Sequence, residues 1–301
     1  MLLNGEPVYL KGCCRHEDFH LVGRGLHLPL IQKDLNLLRW LGANSFRTSH
    51  YPYAEETMML ADRLGLLVID ECQAVGLNAW GAFTIFVPGR VDEKTLATHC
   101  RLMEALYRRD KNHPSVIAWS VANEPASEEE GAVEYFTKVV ATMRSLDPTR
   151  PVTFVASAAA EQDRCGHLVD FISVNRYFGW YTEEGRLDLA AERLRADLRR
   201  WHERYGKPVM LTEFGADTVA GLHTLPAQMF SEEYQVEFLR TYARVLDELD
   251  FVVGEHVWNL ADFMTNQSIR RVVGNRKGVF TRERQPKMAA HYLRERWTGQ
   301  K

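Results

Sequence analysis

The chain has 301 residues and a mass of 34.6 kDa, with 46% hydrophobic and 26% charged residues. That is enough apolar material for a large core, and too much for a disordered chain. Lys and Arg number 37 against 40 Asp and Glu, a net charge of −3, so no global basic field draws the chain to nucleic acid or anionic lipid. No apolar run reaches the ~18–20 residues of a membrane span.

The expected partner is therefore a small molecule. Neither nucleic acid nor membrane is expected, and an oligomer is left open. The first residues carry no basic stretch followed by an apolar one, so a cytoplasmic location is the expectation. The five cysteines (Cys13, Cys14, Cys72, Cys100 and Cys165) are odd in number and form no C-x-x-C pair. They fit a reducing compartment better than a disulfide scaffold or a zinc site.

Along the chain, short β-branched runs alternate with helical patterns. A strand is predicted over 7–12, then a helix over 30–41 that Gly42 ends. A second strand spans 44–48, followed by a helix over 54–64 closed by Gly65. A third strand spans 66–70. A loop rich in Gly and aromatic residues covers 72–90, and Asp92 caps a helix running to about residue 111. The fourth strand is 116–121, with a helix over 128–146 ending before Pro148. The fifth is 152–156, with only weak helical character after it. The sixth is 171–174, followed by a strongly amphipathic helix over 187–204 and Gly206. The seventh is 209–212, followed by a helix over 231–249. The eighth is 251–258, and a last helix covers 286–297. Eight strands alternating with helices predict a parallel sheet, and that number favours one closed (β/α)₈ barrel spanning residues 1–301.

In such a barrel the chemistry belongs at the C-terminal ends of the strands. Seven of the eight predicted ends are polar: Arg15-His16-Glu17-Asp18, Arg47 to Tyr51, Asp70-Glu71, Asn123-Glu124-Pro125, Asn175-Arg176-Tyr177, Thr212-Glu213-Phe214-Gly215 and Trp258-Asn259. A lone carboxylate after a strand is most often a helix cap or a solvated loop residue. Caps, however, need no Asn, Arg, Tyr and Trp beside them. Glu124 and Glu213 each follow an apolar strand directly, on strands expected to lie across the barrel from each other. Two inward carboxylates there are expected to approach to ~5–5.5 Å, the separation for double-displacement glycoside hydrolysis. One would stay protonated as the acid. The other would stay ionised as nucleophile, helped by donors such as Arg47 and Tyr177. Asn123 is placed to bond a sugar hydroxyl, and Trp258 offers a face for a pyranose ring, although core packing is an equal reading of that tryptophan.

The Asn123-Glu124-Pro125 and Thr212-Glu213-Phe214-Gly215 pair resembles the retaining glycosidases with a (β/α)₈ barrel. Within them, the chain is similar to the barrel domain of family 2 glycoside hydrolases. The stretches that carry this are Gly12 to Asp18, Gly42 to Pro52, Val68 to Glu71, and Asp110 to Val116. Asn175 to Tyr181 and Gly274 to Arg282 narrow the resemblance to β-glucuronidases. The resemblance implies Glu124 as acid/base, Glu213 as nucleophile and Tyr177 as its hydrogen-bond partner. It implies an Asn-x-Lys pair, Asn275 and Lys277, holding the sugar's C6 carboxylate, with Arg271 and Tyr181 assisting. An ammonium with an amide donor is what an anionic group calls for. His16, Asp18, Asn123, Asn175 and Trp258 would line the sugar pocket. No cofactor and no metal is implied.

The sequence departs from that family in three ways. The jelly-roll and immunoglobulin-like domains that precede the barrel are expected to be absent, as in an excised, reconstructed or engineered barrel, and an acidic residue of the jelly roll that reaches the sugar would go with them. Phe214 stands where tyrosine is common. The segment 72–90 is short where some relatives insert a lid, which predicts an open cleft that admits small aryl glucuronides. Among rivals, metal-dependent hydrolysis is poorly supported: the 11 histidines include no H-E-x-x-H and no H-x-H. Specificity for a neutral galactoside or mannoside is opposed by Asn275 and Lys277. A barrel that binds sugar weakly without turnover stays open.

Overall fold

In the computed structural model, residues 1–300 are described. Eight parallel strands close into a barrel: β3 (Leu10–Cys14), β4 (Ser45–Arg47), β5 (Leu67–Glu71), β6 (Val116–Asn123), β7 (Val152–Ala156), β8 (Ile172–Asn175), β9 (Val209–Glu213) and β10 (Val252–Val257), in the cyclic order β10-β3-β4-β5-β6-β7-β8-β9. Seven α-helices intervene: α1 (Leu28–Leu41), α2 (Glu55–Leu64), α3 (Glu93–Asp110), α4 (Glu130–Leu146), α5 (Leu187–Tyr205), α6 (Glu232–Asp247) and α7 (Met288–Thr298). The predicted barrel is therefore observed. After β7 stands only a 3₁₀ turn, Gly166–Leu168, as the weak helical pattern there foretold. No helix of the described residues is long and apolar enough to cross a membrane.

The first strand is corrected. It runs Leu10–Cys14, not 7–12, because residues 2–7 form a separate hairpin, β1 (Leu2–Leu3) with β2 (Glu6–Pro7). Asn4 and Gly5 both have positive φ, 53° and 86°, as the tight two-residue turn requires.

The helices end where their sequences say. The Asp92 carboxylate accepts from the Lys94 and Thr95 amides at the start of α3, and the Ser231 hydroxyl accepts from Tyr234 N at the start of α6. Gly42 closes α1 at φ 82°.

By packing, the chain forms two compact units. One comprises Met1–Phe46, Arg176–Ala196 and the residues from Leu211 onward; the other comprises Arg47–Asn175 and Asp197–Met210. In the first, β10 pairs with β3 in register from Gly254↔Leu10 to Val257↔Cys13. Asp34 of α1 is fully buried there between two arginines, Arg15 Nε at 2.8 Å and Arg284 Nε at 2.8 Å. In the second, β5 to β8 form consecutive ladders, with Leu106, Phe136, Val139 and Phe154 in the helix–sheet core.

The β6–β7 ladder shifts register between Ser120 and Asn123. Trp119 N–H and Glu124 N–H both donate toward β7, to Pro151 O and Val155 O. An odd spacing between two groups facing the same neighbour means one extra residue in β6, a β-bulge immediately before the strand's end.

Candidate active site

In the unit 47–175 with 197–210, β6 delivers Asn123 and, one residue on, Glu124. Glu124 is non-glycine yet has φ 48°. A left-handed carboxylate residue costs of order 1–3 kcal/mol and persists where its surroundings over-determine it. Those surroundings are present. Its N–H donates to Val155 O at 2.8 Å, its carbonyl accepts from Asn78 Nδ2 at 3.1 Å, and its Oε1 accepts from Asn175 Nδ2 at 2.9 Å. Asn123 is buried, and its Oδ1 accepts from Arg47 Nη1 at 3.3 Å and from Asn175 Nδ2 at 3.4 Å. Asn175, at the end of β8, thus bonds both members of the Asn-Glu pair.

Beneath them lies Glu71 at the end of β5, fully buried. It accepts from Arg47 Nη1 at 2.6 Å and Ser120 Oγ at 2.8 Å, and it contacts His50 Nδ1 at 2.9 Å. Burial alone would raise its pKa, but Arg47 and then His50 outweigh burial and hold it below the ordinary carboxylate range. From the sequence, Arg47 is expected as a donor for the nucleophile. Here its guanidinium serves Glu71 and Asn123.

The segment 73–90 is fastened to the same strand end. Ala74 O and Leu77 O accept from the amides of Asn123 and Ala126, and the Glu129 carboxylate accepts from Ile85 N and Phe86 N. Gly131 is required there, because a Cβ would stand 2.3 Å from Phe86 O.

In the other unit, Glu213 ends β9 and is 4% exposed. Tyr177 OH donates to its Oε2 at 2.7 Å, and Arg176 N donates to its carbonyl. Two residues on, Gly215 has no room for a side chain, since a Cβ would lie 2.1 Å from Trp258 O. Trp258 is buried with Cys14 and Phe263, and Tyr177 packs on that cluster. The His16 ring lies tilted against Phe263, with centroids 4.1 Å apart, and meets Trp258 edge-on at 5.3 Å.

Asp18 is tied down: Arg282 pairs with both its oxygens, at 2.7 and 2.9 Å, and Met264 N donates to it. It anchors the loop beyond β10, and its carboxylate is already committed to that guanidinium.

Lys277 is fully buried. Its Nζ pairs with Asp217 and donates to Tyr181 OH at 2.8 Å, with the Trp180 ring centroid at 5.2 Å. Burial pulls the lysine down to about 7, and Asp217 pushes the other way. Arg271 also donates to Tyr181 OH and stands 3.5 Å from Asp217. The Tyr181 oxygen thus accepts from two cations, which leaves its own O–H to donate. Burial raises that phenol to about 12, so it stays protonated. Asn275 Oδ1 accepts from Lys277 N at 3.1 Å and fixes the Asn-x-Lys turn. Asp217 is held from behind by Arg276 N at 2.7 Å.

Each predicted residue therefore falls into one of two clusters. Asn123, Glu124 and Asn175 share the first. Glu213, Tyr177, Tyr181, Arg271, Asn275, Lys277, Trp258, His16 and Asp18 belong to the other unit, which contains β3 and β10. Asp217 and the Glu71–His50 pair were assigned no role in the sequence. Glu71 stood in a polar strand end, and Asp217 lies four residues past Glu213 in the loop beyond β9. Among the described residues, no group of three or more His, Cys, Asp or Glu is arranged to hold a metal ion.

The family described as "Glycosyl hydrolases family 2, TIM barrel domain" matches residues 1–301. The chain belongs to this family. It is 51% identical over 298 residues to "Beta-glucuronidase" of Rattus norvegicus, covering 98% of this chain and 45% of that protein. It is 50% identical to "Beta-glucuronidase" of Paenibacillus borealis, covering 98% of this chain and 50% of that one. The solved β-D-glucuronidase of Dictyoglomus thermophilum superposes with a TM-score of 0.96 at 56% identity, over 99% of this chain and 52% of that chain. The Ruminococcus gnavus β-glucuronidase in complex with uronic isofagomine superposes at 0.95 with 46% identity, over 99% and 52%. The chain spans about half the length of these relatives.

Proposed function

We propose that this family 2 barrel is the catalytic barrel of a retaining β-glucuronidase. The observation that carries the reading is the buried cation of Lys277. It is fixed with Arg271 and the Tyr181 hydroxyl in the same unit as Glu213, which is where a sugar with a C6 carboxylate needs positive charge. A neutral sugar needs no buried ammonium, and burying one is costly. The names of the relatives and the uronic ligand of the Ruminococcus gnavus protein support the same substrate class.

In this reading Glu213 attacks the anomeric carbon while Glu124 gives its proton to the departing glycosidic oxygen, and a covalent glycosyl ester on Glu213 forms. Glu124, now a carboxylate, takes a proton from water. The water oxygen attacks the anomeric carbon and the Glu213 carboxylate leaves, so configuration is retained. Tyr177 steadies the Glu213 charge before attack. Asn175 orients the Glu124 carboxyl group, and Asn123 is the donor for the hydroxyl beside the reacting carbon.

The test is chromogenic turnover of an aryl β-D-glucuronide against the matching β-D-galactoside. Cleavage of the uronide alone supports the reading. Cleavage of the galactoside alone overturns the substrate class. Cleavage of neither, by protein that is folded by circular dichroism, reduces the chain to a barrel that folds without turnover.

A further inference from the structure

His99 lies on α3, on the outer side of the sheet, and bonds none of the site side chains described above. It is 4% exposed. Its Nε2 is 2.8 Å from Val121 O and its Nδ1 is 3.0 Å from Tyr135 OH, on α4. A carbonyl only accepts, so Nε2 carries the proton. In the neutral ring Nδ1 then accepts from the tyrosine. Burial lowers the imidazole pKa and so favours the neutral ring.

The carbonyl it holds belongs to the bulge of β6. Between Ser120 and Asn123 one extra residue breaks the ladder register. A bulge re-aims the side chains that follow it. Here they are Asn123 and, three residues past the held carbonyl, Glu124 with its positive φ. Other restraints on this segment include Ala74 O on Asn123 N, Val155 O on Glu124 N, Asn78 on Glu124 O, and Arg47 and Asn175 on the two side chains. His99 adds a restraint from α3, on the backbone of the bulge itself. Tyr135 is in turn packed between Phe86 and Phe136, with ring centroids 5.2 and 5.3 Å away, so the donor's own orientation is fixed.

We infer that His99, backed by Tyr135, is a positioning residue for the acid/base carboxyl group: it locks the β6 bulge and so sets the angle at which Glu124 leaves the strand. The inference rests on the proposed role of Glu124 and adds a residue remote from the substrate. Its effect falls on proton donation to the leaving group and spares nucleophilic attack by Glu213.

The test compares His99→Phe, which keeps the bulk but loses the donor, with His99→Gln, whose amide can restore a donor toward Val121 O. Aryl β-D-glucuronides are ranked by leaving group, from dinitrophenyl to phenyl. For His99→Phe, kcat/KM on the phenyl glycoside falls at least about tenfold, a fraction of the ~10²–10⁴ that a general acid supplies. The dinitrophenyl glycoside, which departs without a proton, changes less than about twofold, and His99→Gln recovers most of the loss on phenyl. Equal losses on every substrate, or none on phenyl, overturn the inference.

A crystal structure of the His99→Phe protein gives a readout that needs no turnover. The inference requires the Asn175 Nδ2 to Glu124 Oε1 hydrogen bond, 2.9 Å here, to break or move. If it persists unchanged with φ of Glu124 still positive, His99 does not position that group. Absence of wild-type turnover would count against the proposed function alone, and the structure of the variant would still decide the role of His99.

Discussion

Replacing Lys277 by methionine removes one charge and keeps most of the buried volume. In the intact protein the ammonium is fully buried against Asp217, Tyr181 and the Trp180 ring. Removing one partner of the buried charge pair that Lys277 would form with the substrate carboxylate costs ~3–5 kcal/mol. Arg271 and the Tyr181 hydroxyl remain for the substrate carboxylate, so the lower end, about 3 kcal/mol, is expected. At 1.36 kcal/mol per tenfold that is a loss in kcat/KM of roughly 150-fold on an aryl glucuronide. The matching neutral glycoside makes no such pair and should change less than about threefold.

The pH profile supplies a second reading. Burial draws Lys277 down to about 7, so the uronide-binding cation is lost as pH rises through that value. An alkaline limb in kcat/KM near neutrality is expected. It should move well upward in Lys277→Arg, whose guanidinium does not deprotonate. The assay is initial rates on both substrates from pH 5 to 9 (about two units either side of neutrality). If Lys277→Met lowers both glycosides by the same factor, the ammonium does not read the carboxylate and the assignment is wrong.

Tyr177→Phe deletes the 2.7 Å donor to Glu213 and should cost ~1.5–3 kcal/mol, roughly tenfold to a hundredfold in kcat/KM, with the circular dichroism spectrum of the folded protein unchanged; a loss under about twofold would remove Tyr177 from the mechanism. Asp34→Asn leaves Arg15 and Arg284 buried without their counter-charge, and guanidinium titration should show about 3–5 kcal/mol less stability. Burial works to raise the Asp34 pKa, but Arg15 and Arg284 together lower it below its ordinary value. Its contribution to stability is therefore full above the ordinary carboxylate range and is lost as pH falls through the lowered value. An acid-unfolding midpoint that does not shift in Asp34→Asn would contradict that pairing. Gly131→Ala should detach 73–90, because the new Cβ meets Phe86 O at 2.3 Å. Faster amide exchange at Ile85 and Phe86 is the check.

The barrel was legible because strands and helices alternate with different periods, and because Gly42, Gly65 and Asp92 punctuate them where chain geometry demands. The strand ends were legible because polar residues such as Asn123, Glu124 and Glu213 break apolar runs at one end only. The short hairpin was not read, although Asn4-Gly5 is its turn signal, since two-residue strands offer no alternation to count. The Asp217–Lys277 pair joins two loops 60 residues apart, and no local pattern couples them. His99 looks like one more residue on an amphipathic helix. Its meaning depends on the β6 bulge, and a strand buried on both faces gives no periodicity from which to read an extra residue.

In the proposed mechanism Glu213 forms a covalent bond to the sugar. Incubation with a 2-deoxy-2-fluoro-β-D-glucuronyl fluoride, followed by peptide mass mapping, tests it directly. Stoichiometric labelling is expected on the peptide containing Glu213, abolished in Glu213→Ala, with turnover inactivated in step. A label on another residue, or hydrolysis of an aryl glucuronide with inversion and no label at all, would contradict it.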